Sequence, residues 1–267
     1  MKVPVLFGGI AGDVIGSKFE SFNTRRTDFR LFGKRSRFTD DTVLTVAIAD
    51  ALLSGVPHDV RLREYALRYP DVGYGDFFMV WLRKAEGLIN LILSYGSGAA
   101  MRVPPMVYWY NKRREVVNAV GESSRITHPG VEAFLTAQNL AAAMYRARML
   151  NSNELGTGAK FFVLGHDIYV DPDLKVEQLN WPHEIDLNVW TVVTHAAYAF
   201  FHGKDYEDTI RLAISIGGDS DTIANIAGSL AYAYYKDMPE EIYLKTAERL
   251  PSEFIDIIES FEKRVLL

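Results

Sequence analysis

The chain contains no cysteine. Disulfides, thiolate-held zinc and cysteine nucleophiles are therefore excluded together, and a metal ion would have to be held by oxygen or imidazole. Of the six histidines, the five other than His128 show no spacing of a metal site, and a lone His before Pro is more often a hydrogen-bonded structural residue than a ligand. Long apolar runs are also missing, since none approaches the roughly twenty residues a spanning helix needs. The short apolar stretch near the N-terminus meets Asp13 within a few residues and is followed by no small-residue cleavage site. The sequence thus predicts no signal peptide, no membrane partner and a cytoplasmic location. An excess of positive charge is lacking too: 29 Lys and Arg face 34 Asp and Glu, a net charge of −5. Stable, sequence-independent binding of nucleic acid is not expected from such a balance.

What is present is a chain of 267 residues that is 48% apolar, with mean hydropathy near zero. It is long enough to bury a large core, and we expect a single domain over residues 1–267. Helical periodicity dominates. The runs Val43 to Leu53, Asp59 to Tyr69, Phe77 to Leu82, Val131 to Leu150, Val189 to Phe201 and Tyr206 to Ile216 all read as helices. Pro239 and Pro251 stand where helices start. No regular alternation of strands with helices is found, so the expected fold is all-α, a single orthogonally packed multi-helix domain. Residues 151–188 are the least regular, and within 155–188 Phe161 to Leu164 and Ile168 to Val170 could pair as a small hairpin or lie as a loop on the helical body.

Gly8, Gly12 and Gly16 fall at four-residue spacing. On a helix they share one face and let another helix come close, a better reading than a dinucleotide loop, whose full spacing and strand context are absent. From Ser21 to Arg37 a polar loop carries six basic residues and could border a phosphate-bearing ligand. It leads into the first of two acidic helix starts, Phe38-Thr39-Asp40-Asp41-Thr42. The second, Gly217-Gly218-Asp219-Ser220-Asp221-Thr222, lies far down the chain. Each is a natural helix cap, with Thr39 or Asp40 as the first N-cap. If they converge, Asp40, Asp41, Asp219 and Asp221 crowd a small volume with no Lys or Arg in either motif, which requires protons or cations between them. With the hydroxyls of Thr39 and Thr222 they would form an all-oxygen site suited to Mg²⁺ or Mn²⁺, and so many carboxylates suggest two ions.

Five pieces occur in order: Gly12-Asp13-x-x-Gly16-x-x-x-Glu20, the Phe38 to Thr42 motif, Gly96-Ser97-Gly98-Ala99-Ala100-Met101-Arg102, Thr127-His128-Pro129, and the Gly217 to Thr222 motif with its small-residue helix. Through them the chain resembles the ADP-ribosylglycohydrolase family, from about residue 5 to 235. The resemblance implies an all-α hydrolase that removes ADP-ribose by cleaving the glycosidic bond at C1″ with two divalent cations. It implies Thr39, Asp40, Asp41, Asp219, Asp221 and Thr222 as metal ligands. Gly96, Ser97, Gly98, Ala99, Ala100 and Met101 would hold the diphosphate, with His128 near the substrate. Ser97 stands where the family often has Asn, which keeps the loop's flexibility but leaves open whether a side-chain contact is made there.

For acid–base work the resemblance points to Glu20, with Asp71 in Pro70-Asp71-Val72-Gly73 as the alternative; Asp40 and Asp41 complete the expected catalytic set. The substrate would be an ADP-ribosylated protein, small molecule or nucleic acid. The alternative is a non-catalytic relative, either an ADP-ribose-binding module or a crystallin-like structural protein. Retention of all four carboxylates stands against it.

Overall fold

The helices begin and end where the local chemistry dictates. Phe7–Gly16 forms α1, and Asp40–Ser54 forms α2. The N-cap of α2 is Thr39, whose hydroxyl accepts from the Asp41 N–H, and the helix stops at Gly55 in the left-handed conformation that glycine adopts without strain. Then come α3 (His58–Arg68), α4 (Asp76–Arg83), α5 (Pro104–Trp109), α6 (Arg113–Thr127) and α7 (Val131–Met149). The chain continues through α8 (Thr157–Leu164), α9 (Val189–His202), α10 (Tyr206–Ile216), α11 (Ser220–Tyr235), α12 (Glu240–Ala247) and α13 (Ser252–Val265). Pro239 and Pro251 are the N-caps of α12 and α13. This computed structural model describes residues 3–83, 94–151, 154–179 and 186–266.

Among the described residues the fold is all-α, with no strand. The hairpin considered for residues 155–188 does not form: Phe161 to Leu164 is the second half of α8, which opens after Gly156 and closes at Gly165. Ile168 and Val170 are buried beyond it in irregular chain. The run from Phe161 is helical because Val163 and Leu164 turn to the core while Phe161 and Phe162 stay exposed, a helical rather than a two-residue period. No helix among the described residues is long and apolar enough to cross a membrane.

One cluster of buried apolar side chains runs from Val3 to Phe261, with α1 and α11 at its centre. Every residue of α1 is buried. Its glycines face α11 so closely that a Cβ on Gly12 would lie 2.1 Å from the Ala224 carbonyl oxygen, and one on Gly16 would lie 2.5 Å from that of Ser220. The glycine spacing thus works as a packing face. Gly12→Ala is expected to lower stability by roughly 3 kcal/mol, because the obstacle is backbone and cannot rotate away. A melting temperature within a degree of wild type would contradict this close approach.

Candidate active site

The contact of α1 with α11 brings Asp13 of one helix beside Asp221 of the other, and the start of α2 adds Asp41. Carboxylate oxygens of Asp13, Asp41 and Asp221 all lie within 4.8 Å of one another, and all three residues are buried. The two acidic helix starts therefore converge, and Asp13 joins them.

The three carboxylates are not equivalent. Asp13 Oδ1 accepts from the Thr39 hydroxyl at 2.7 Å. Its Oδ2 accepts from the backbone N–H groups of Thr39 (3.0 Å) and Thr42 (3.1 Å) and from the Thr42 hydroxyl. Asp13 thereby anchors the first turn of α2 and has its oxygens occupied. Asp41 instead uses Oδ2 alone, which accepts from the Thr222 hydroxyl at 3.1 Å and lies 3.3 Å from the Thr39 hydroxyl. Its Oδ1, and Oδ1 of Asp221, are buried without a hydrogen-bond partner among the described residues. Buried carboxylate oxygens are rarely left so, which marks these two as open ligand positions.

At the second start, Gly217 and Gly218 have φ of 82° and 84°, a left-handed pair that side chains would strain. Asn23 holds this turn, accepting from the Gly218 N–H at 2.5 Å. Asp219 follows in the N-cap position of α11, yet its side chain makes no cap bond. It accepts instead from the Ser97 hydroxyl at 3.3 Å. Capping therefore accounts for Thr39 but not for Asp219.

A cavity of about 410 Å³ reaches the cluster at Asp221, whereas Asp13, Thr39 and Asp41 are not on its wall. Asp40, Asp219, Asp221, Thr222 and Glu20 line it, together with Gly96, Ser97, Gly98, Met101 and His128. Ala99 and Ala100 are buried behind the loop rather than on the cavity wall. Leu44, Phe78 and Leu187 supply apolar wall, and Arg37 stands on the rim. Tyr95 to Gly98 is held in place by Val189, whose N–H donates to the Tyr95 carbonyl at 2.8 Å. Leu187 and Asn188 join the lining from that side. This gives the end of the irregular 151–188 segment a place at the site. Asp71 is exposed and does not line the cavity. It sits next to Val72, whose carbonyl accepts from the Asp40 N–H at 3.2 Å.

Burial drives the electrostatics. Desolvation pushes the carboxyls of Asp40, Asp41 and Asp221 well above the usual range, and their acidic neighbours add to it. Asp13 is raised to about 6 by burial, held back by its bonds from Thr39 and Thr42. Asp219 is also raised to about 6 by burial, held back by bonds that include that of Ser97. No cation among the described residues neutralises the group, so protons or a bound cation must. The donor set is oxygen alone, and with two open carboxylate oxygens it fits a hard divalent ion.

Asp13 is the residue that sequence reasoning left without a role. Its Gly12-Asp13 pairing was the available signal, since the glycine that lets α11 approach is adjacent to the carboxylate that meets it.

An all-α body that gathers buried carboxylates beneath a glycine-lined cavity defines a class of acidic-site helical proteins. The chain belongs to the ADP-ribosylglycohydrolase family, whose model matches residues 3–265. It is 23% identical to the ADP-ribosylhydrolase ARH3 of Mus musculus over 341 residues, covering 98% of this chain and 88% of that protein. An uncharacterized protein of Archaeoglobus fulgidus is 25% identical, covering 88% of each. Among solved structures, an ADP-ribosylglycohydrolase-related protein complex superposes with a TM-score of 0.70 at 22% identity, covering 99% of this chain and 97% of that one. That last likeness concerns the fold.

Proposed function

We propose that the chain is a metal-dependent hydrolase that frees ADP-ribose from a modified protein, small molecule or nucleic acid by cleaving the glycosidic bond at C1″. The observation that carries this reading is the pair of oxygens without partners among the described residues, Asp41 Oδ1 and Asp221 Oδ1, in an acidic cluster whose Asp221 lines the cavity. Thr39, Asp40, Asp41, Asp219, Asp221 and Thr222 would hold two divalent cations, Mg²⁺ or Mn²⁺. When bound, such ions supply charge neutralisation and lower the pKa of water.

The chain's own residues supply the rest. Asp13 fixes the start of α2, and so aims Asp40 and Asp41. The Gly96 to Met101 loop, with no bulky side chain over Gly96 and Gly98, seats the diphosphate, and the apolar wall from Leu44, Phe78 and Leu187 limits water. Glu20 faces the same space as Asp40 and Asp219, and we assign it the proton that passes between water and the departing acceptor group. Asp71, exposed and outside the cavity wall, is the weaker candidate. Glu20→Gln is expected to lower kcat by about a hundredfold, and Asp71→Asn to change it by no more than about twofold. The reverse pattern in steady-state kinetics would exchange their roles.

The direct test measures release of ADP-ribose from ADP-ribosylated arginine, serine and nucleic acid, with Mg²⁺ and with chelator. No turnover on any of them by metal-loaded protein would sink the reading. Calorimetry showing ADP-ribose binding without hydrolysis would favour the non-catalytic relative instead.

A further inference from the structure

Arg102 is fully buried and forms no ion pair among the described residues. Its two terminal nitrogens donate to neutral oxygens instead, while Nε has no hydrogen-bond partner among the described residues. It donates to the Gly98 carbonyl at 2.8 Å, to the Ser123 carbonyl at 3.2 Å and to the Thr127 hydroxyl at 2.6 Å. The last bond has a consequence for the neighbouring ring. Arginine carries no acceptor, so the Thr127 oxygen receives a proton from Arg102 and keeps a single proton to give. That oxygen lies 2.7 Å from His128 Nδ1. If Nδ1 carried a proton, Thr127 would accept twice and its own buried hydroxyl proton would face no partner. The hydrogen-bond balance is met when Thr127 donates to Nδ1, which places the ring proton on Nε2.

Nε2 lies on the ligand side. A Cβ on Gly98 would fall 3.2 Å from it and one on Gly96 3.7 Å, and His128 lines the cavity. The glycines therefore leave room for this edge of the ring, which would meet whatever lies over the loop. Burial and the neighbouring Arg102 charge push the imidazole down to about 3, so the ring is neutral across the working range. A neutral ring can be a donor or an acceptor at Nε2, and the identity of the tautomer decides which.

We propose that Arg102 and Thr127 form a positioning relay that holds His128 as the Nε2–H tautomer, so that it donates to an oxygen of the group seated over Gly96 to Gly98. Arg102 ties both ends together, since one guanidinium nitrogen holds the loop through Gly98 and another holds the hydroxyl that sets the ring. The seated group must then be an acceptor, as a phosphate oxygen is. The identity of that group rests on the function proposed above, whereas the tautomer does not.

The test is nitrogen-15 NMR of His128 in the metal-free, ligand-free protein, followed by calorimetry with ADP-ribose. The wild-type ring is expected to show a bare Nδ1 and a protonated Nε2. Thr127→Ser should keep that pattern and the affinity. Thr127→Val removes both the donor and the acceptor, and should mix the tautomers and weaken ADP-ribose binding by about tenfold, the usual size of one lost hydrogen bond. A wild-type ring protonated at Nδ1 overturns the relay even if Thr127→Val does not fold. An unchanged tautomer in a folded Thr127→Val protein overturns it as well. Absence of ADP-ribose binding by wild type, with the Nε2–H tautomer present, counts against the ligand and leaves the relay standing.

Discussion

Asp219→Ala and Asp40→Ala are each expected to abolish release of ADP-ribose, by at least about a thousandfold in kcat/KM, while leaving a folded helical protein. The size follows from the place of these side chains. Partners one layer outside a metal site already cost 10–100-fold when removed, and loss of a single charge-stabilising group in a water-poor site costs about 10²–10³-fold. As proposed ligands, these carboxylates would act in both ways at once. The fold should survive because neither side chain supports a helix end: Asp219 makes no cap bond to α11, and the cap of α2 is Thr39. Removing a buried like charge also relieves repulsion. Circular dichroism and turnover with saturating Mg²⁺ decide the matter, and substantial activity in both variants would refute the metal assignment.

A second large effect is expected in the dependence of stability on pH and metal. Asp13 and Asp219 move from an ordinary 3.8 to about 6 on folding without metal, and Asp40, Asp41 and Asp221 move in the same direction. With folded values raised, the native state holds more protons than the unfolded one between these limits, so stability falls as pH rises. The contribution is complete below about pH 4 and, for Asp13 and Asp219, is lost as pH passes through about 6. The other three extend the loss upward.

A cation bound at the proposed site would take the place of those protons, so its effect should be small at pH 5 and large at pH 8. At a hundredfold excess over Kd, ligand binding is worth about 2.7 kcal/mol, or roughly 5 °C in a chain of this size. Asp41→Asn should raise the melting temperature of the chelated protein at pH 8 and remove most of its response to Mg²⁺. Equal melting curves in chelator and in Mg²⁺ at pH 8 would contradict both the cluster's charge and its proposed occupant.

How much of this was legible beforehand depended on the reach of each signal. Helices such as Tyr206–Ile216 could be read to the residue, because an apolar face at helical spacing bounded by Gly203 and Gly217 is entirely local. The run Phe161 to Leu164 could not. Four apolar residues suit a strand or a helix turn equally, and only the core's demand for Val163 and Leu164 selected α8. The two acidic motifs were visible as unusual for capping alone, but their convergence was an inference from charge.

Asp13 went unassigned for a related reason. One aspartate on a glycine-rich helix has no local signature, and its bonds to Thr39 and Thr42 reach across 26 and 29 positions. Likewise residues 151–188, where the resemblance is thinnest, could be expected at the rim of the site, but the sequence held no sign that Leu187 and Asn188 in particular would line the cavity beside Gly96.

By itself, then, the sequence determined the chemistry available: oxygen ligands without cysteine, acidic helix starts without nearby cations, a glycine loop, and glycines spaced for close helix contact. Those properties belong to residue types and short spacings, which are written locally. The tertiary structure decided which oxygens are used up and which stay open. Packing of α1 on α11 set Asp13 against the start of α2, saturating its carboxylate and leaving Asp41 Oδ1 and Asp221 Oδ1 without partners among the described residues. Hydrogen-bond satisfaction is a property of the complete surroundings of an atom, and those are assembled from segments too far apart in the chain for any local pattern to record.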